Sequence, residues 1–163
     1  MGGAPDRQPL DALQARLQHR FADTGLLSLA LTHRSFANPH NERLEFLGDS
    51  VLGLVICEML YQRFPQFLEG DLTRIKSVVV SRQTCAKLSA QLGLCDCLIL
   101  GKGMATVRAV PQSLMADVLE SLIAAIYLDG GFEAAADFIR RNFGPEITMS
   151  VAGEHCDNFK SML

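Results

Sequence analysis

The chain has 163 residues, 48% of them hydrophobic and 20% charged, with a net charge of −3. That is enough chain for one domain with a proper core, and too apolar for disorder. Without a basic bulk, it can meet a polyanion only through local basic patches or bridging cations.

Residues 1–9 carry two prolines and two glycines and are expected to form a loose tail. The signal-peptide pattern is absent from "MGGAPDRQPL", which has no apolar core. In "LDALQARLQHRF", Leu10, Leu13 and Leu17 share one helical face. A second helix follows in "ADTGLLSLALTHRS", with Asp23 or Thr24 as N-cap, and the Asn38-Pro39 pair then marks a turn. Asn41 is placed to cap a long helix over 42–63, stopped near Pro65. Its run "VLGLVIC" ends at Glu58, well short of the ~20 apolar residues a membrane span needs. Further helices are expected over 71–81, over "SRQTCAKLSAQLGL" with Ser81 as cap and Gly93 as stop, and from Pro111 to Leu128. Between the last two, "CDCLILGKGMATVRAV" reads as irregular. After the turn "DGG" at 129–131, "FEAAADFIRRNFG" forms a last helix closed by Gly144 and Pro145. The fold class is all-α.

Cysteines fall at 57, 85, 95, 97 and 156 with no C-x-x-C pair, which predicts free thiols in a reducing compartment. They read as small core hydrophobes, and Cys95 and Cys97 lack a second pair to complete a zinc site. The expectation is a soluble, cytoplasmic protein without membrane contact.

The stretch "NERLEFLGDS" sets Glu42, Glu45 and Asp49 within an arc of roughly 60° on a helix. No Lys or Arg stands four residues beyond any of them, and from Val51 onward the helix is apolar almost all round. An acidic wet face normally has such partners, so these acids read as something else. In "SLMADVLESLIAAIYLDGG", Asp117 and Glu120 share a face with the small Ser121 and Ala124, which lets another helix come close. Should the two stripes face each other, up to five carboxylates converge, and they must either protonate or hold divalent cations. Cations held by carboxylates, water and phosphate suit phosphodiester hydrolysis.

These residues resemble the ribonuclease III family. "NERLEFLGDS", "LTHRS" at 31–35, "FP…EGDLTRIKS" at 64–77, "LGKG" at 100–103 and "MADVLESLIAAIYLDGGFEAA" at 115–135 match it in order. The resemblance implies a helical, homodimeric endonuclease domain over 10–148, with 149–163 as the linker and the cut-off first turn of a double-stranded-RNA-binding domain. It implies Mg²⁺-dependent cleavage of double-stranded RNA in rRNA and mRNA precursors, with Mn²⁺ able to substitute. Water attacks phosphorus and the 3′ oxygen leaves, so the products carry 5′ phosphates and 3′ hydroxyls. Carried over by position, Glu45, Asp49, Asp117 and Glu120 hold the metal, and Asp49 and Glu120 are the catalytic pair. Glu42 shapes the site and supports dimer contacts, Glu69 approaches the partner's site, and Phe46 plugs a pocket on the other subunit. A non-catalytic relative that binds structured RNA and an all-α Mg²⁺-dependent nucleotide pyrophosphatase are the alternatives.

Other polar residues have plainer readings. His33 packs at a junction, Arg34 and Arg43 pair with the acidic cluster, and Arg74 and Lys76 belong to a solvated face or meet the RNA backbone. Lys102 in "GKG" lacks the spacing of a phosphate loop.

Overall fold

In the computed structural model, residues 7–105 and 109–161 are described, with side chains over 9–105 and 109–153. The elements are α1 (Arg7–Leu17), α2 (Thr24–Leu31), α3 (Glu42–Arg63), α4 (Glu69–Val79), α5 (Arg82–Gln91), a 3₁₀ turn (Leu94–Cys97), α6 (Lys102–Ala105) and α7 (Gln112–Ser161). Helices joined by turns and loops make up the described chain, which has no strand beyond an isolated parallel bridge between Thr32 and Ile99. No helix among the described residues is long and apolar enough to cross a membrane.

Two helices organise the rest. α3 packs along the first arm of α7, and α5 lies against α7 as well. Leu52, Ile56 and Leu60 from α3 meet Leu119, Leu122 and Ile123 from α7 in the core, all at 0–1% exposure. α7 bends once, at Gly131, whose φ of +84° suits a residue without Cβ. Its second arm returns Phe138, Phe143 and Ile147 to the same core.

Several helix ends follow their sequence signals. Asp23 caps α2 by accepting from the Gly25 amide, and Ser81 caps α5 by accepting from the Thr84 amide. Gly93, at φ +68°, ends α5. Others depart from expectation. α1 starts at Arg7, inside the expected tail, and residues 1–6 lie outside the described ones. α4 starts at Glu69 rather than near 71, because Asp71 acts from inside the helix, accepting from the Leu68 amide at 3.3 Å. Asn41 precedes α3 but its side chain does not cap it. The amide instead donates to the Ala30 carbonyl at 3.1 Å and is buried there. The segment 94–105 is less irregular than its composition suggests, since it holds the 3₁₀ turn and the short α6.

The clearest correction is at Pro145, which does not close the last helix; α7 runs through it to Ser161. Proline removes one helical hydrogen bond and crowds the preceding turn. Here Phe143 and Ile147, both fully buried, hold the helix to the core on either side. Lys87 of α5 pairs with Glu146 at 2.7 Å, and Arg63 of α3 donates to Thr148 at 2.8 Å. The boundary expected at 148 therefore falls within a helix. The cysteines also need correction: Cys85 is buried, but Cys57 and Cys95 are exposed and Cys97 is intermediate. Amphipathic position decides this, since Cys57 faces an open groove beside α4. The Cys156 side chain lies outside the described residues.

Candidate metal centre

α3 and the first arm of α7 cross with almost nothing between them. A Cβ built on Gly48 would stand 1.8 Å from the Glu120 carbonyl oxygen. Beside this contact, buried Ser121 donates to the Asp117 carbonyl at 2.8 Å and lies 3.2 Å from the Asn41 carbonyl that precedes α3. Small residues at 48 and 121 thus bring the two acidic stripes face to face.

The result is a cleft of about 570 Å³ lined by Glu42, Glu45, Phe46, Asp49, Val80, Arg82, Asp117 and Glu120. Carboxylate oxygens of Glu45, Asp117 and Glu120 lie within 4.8 Å of one another. Asp49 and Glu42 stand on the exposed wall. Glu69 is not brought to this cluster. It lies on α4 beside a separate groove and accepts a 2.6 Å hydrogen bond from Thr73.

The charges repel. Burial first, then Asp49, Glu45 and Asp117, push the Glu120 carboxyl up to about 7. Burial, followed by Asp117 and Glu42, raises Glu45, and burial also raises Asp117. Arg82 opposes all three. On the opposite rim Arg34 pairs with Glu42 at 3.4 Å, as its sequence reading anticipated. Close to Glu120 and Asp49 lies the thiol of Cys85, pushed up to about 12 chiefly by burial and then by those two acids. Its Sγ donates to the Val80 carbonyl at 3.9 Å, as a core thiol does. The donors on offer are all carboxylate oxygens, a set that suits hard divalent cations such as Mg²⁺ or Mn²⁺.

His33 does pack at a junction. Its Nδ1 accepts from the Ser35 amide at 3.1 Å, and its own amide donates to the Ile99 carbonyl at 3.0 Å. Arg82 and Gly48 went unread in the sequence. No local spacing links Arg82 to acids more than thirty residues away, and Gly48 looks like any small residue on a helix.

The Ribonuclease-III-like family model matches residues 23–147. The chain is 47% identical to "Ribonuclease 3" of Rhodopirellula baltica over 94% of its own length and 59% of the relative's. It is 51% identical to "Ribonuclease 3" of Albidiferax ferrireducens over 82% of its length and 59% of that relative's. The chain thus spans about three fifths of these relatives. Among solved structures, the nuclease domain of ribonuclease III from Campylobacter jejuni superposes with a TM-score of 0.78 at 38% identity. That match covers 83% of this chain and 99% of that one. Its region involved in dimer formation is described as structurally flexible. Signature stretches, helical architecture and facing acidic stripes therefore agree, and this chain belongs to the ribonuclease-III-like family.

Proposed function

We propose that this chain is the nuclease part of a homodimeric endoribonuclease that cuts both strands of double-stranded RNA and leaves 5′-phosphate and 3′-hydroxyl ends. One observation supports the reading: two helices deliver five carboxylates to one cleft, with three of them close enough to share a cation. Glu45, Asp49, Asp117 and Glu120 would hold Mg²⁺, for which Mn²⁺ can stand in. The bound cation supplies a water nucleophile near neutral pH and offsets charge on the phosphate. The resemblance makes Asp49, on the α3 side of the cleft, and Glu120, on the α7 side, the pair on which the chemistry rests. Burial and then the neighbouring acids push Glu120 up to about 7, so without a cation the cleft gains its full negative charge only near neutrality. Glu42 shapes the rim with Arg34.

Exposed apolar surface supports the dimer. Phe46 is 79% exposed at the cleft edge. On the same helix, Leu54 and Tyr61 line a groove of about 600 Å³ completed by Leu72, Phe132 and, at its side, Glu69. A two-fold operator makes such a contact reciprocal. Each Phe46 would enter the other subunit's groove, and each Glu69 would approach the other's cleft. An unchanged dimer in sedimentation after Phe46→Ala would contradict this role; dissociation is expected.

The activity is tested with a labelled RNA duplex and with nucleoside triphosphates, each with and without chelator. Duplex cleavage that stops in chelator supports the reading. Retained RNA binding without cleavage points to a non-catalytic relative, and triphosphate turnover points to a pyrophosphatase.

A further inference from the structure

We propose that Arg82 is a substrate-binding residue of the acidic cleft, holding a backbone phosphate of the RNA strand at the cleft mouth. The proposal rests on the nuclease reading above and adds a residue to it.

Among the described residues Arg82 is the only Lys or Arg lining the cleft, and it is exposed there next to Val80. Its backbone is well fixed. It is the first residue of α5, directly after the Ser81 cap. The Thr84 hydroxyl, part of the same cap, donates to the Val78 carbonyl at the end of α4 at 2.8 Å. A rigid corner between two helices therefore aims Arg82 at the acids.

The guanidinium is nevertheless uncommitted: it makes no hydrogen bond or ion pair among the described residues. Neighbouring cations differ. Lys87, further along the same helix, pairs with Glu146, and Arg34 on the far rim pairs with Glu42. A planar fork of five N–H donors fits the non-bridging oxygens of a phosphate. The carboxylates feel its charge, since it offsets part of their repulsion. Once divalent cations sit among the acids, that attraction is cancelled, and Arg82 is left to face whichever anion arrives with them. A phosphodiester is that anion.

This predicts opposite effects on two ligands. Arg82→Gln removes a like charge from beside the cation, so Mg²⁺ titrated into the protein alone, followed by calorimetry, should bind about twofold to fivefold tighter. The same change removes a phosphate contact. Duplex RNA should bind about tenfold more weakly in a Glu120→Gln background, where no cutting intervenes. The slope of log affinity against log salt should become shallower by about one. Arg82→Lys keeps the charge but not the fork, so it should restore the Mg²⁺ affinity and the salt slope while recovering only part of the RNA affinity. Unchanged RNA affinity and salt slope in Arg82→Gln would overturn the proposal. So would parallel loss of both ligands, which would mark Arg82 as structural. If the wild-type protein binds Mg²⁺ but leaves duplex RNA intact, the nuclease reading itself fails, and the phosphate role fails with it.

Discussion

Asp129 and Glu120 sit on the same arm of α7, nine residues apart, and both are withdrawn from water. Asp129, with a side chain 4% exposed, is fully supplied with donors. The Asp23 amide at 2.9 Å, the Ala22 amide at 3.2 Å and His19 at 2.8 Å all meet its carboxylate. Burial alone would raise its pKa, but these hydrogen bonds outweigh burial and hold it below the ordinary value. Glu120 accepts no hydrogen bond among the described residues, faces three other acids and rises to about 7. A buried acid with its own donors belongs to the architecture. One surrounded by like charge is incomplete until a cation arrives from outside.

The largest effect should come from Glu120→Gln. Loss of several kcal/mol of cation-mediated stabilisation corresponds to a fall of about a thousandfold or more in single-turnover cleavage, with the dimer intact. Without metal and above neutral pH, the same variant should be more stable than the wild type, since a repelled charge is gone. Wild-type cutting by this variant would end the contrast. Next is Asp129→Ala, which strands two backbone donors and a histidine and should cost about 3 kcal/mol in urea unfolding. Its folded fraction should cut RNA normally; a specific loss of cleavage would show that Asp129 is not merely architectural.

Gly48→Ala comes third. Its methyl group has no room against the Glu120 carbonyl. Forcing the helices apart should cost about 2 kcal/mol and weaken Mg²⁺ binding, both readable by thermal melts with and without metal. The smallest effect is on pH dependence. Asp129, with a lowered pKa, contributes stability above 3.8 that is lost as pH falls through its folded value. Glu120, with a raised pKa, does the reverse: its penalty is absent below 4.5 and grows as pH climbs to about 7. Metal-free melting temperature should therefore peak at mildly acidic pH, and Mg²⁺ should remove the decline on the alkaline side. A flat metal-free profile above pH 5 or so would contradict the repulsion.

What the sequence disclosed depended on range. Caps and stops act within a turn, so α3, the Ser81 cap and the break at Gly131 were readable. The acidic stripes were readable because helical period alone puts Asp117 beside Glu120. Pro145 misled, since its local cost is outweighed by the burial of Phe143 and Ile147, which no local rule registers. Asn41 misled for the same reason: a buried carbonyl of Ala30, eleven residues away, competes for its amide. Arg82 joins the cleft only through the packing of α5 on α7.

The meeting of Gly48 with the Glu120 backbone has one more consequence. Main chain rests on main chain there, so the cleft cannot narrow further. Opening it would pull apart the buried α3–α7 core, so like charges are relieved at lower cost by taking up protons. The empty seat and the filled seat should then have the same dimensions, and a cation would displace protons rather than reshape the protein.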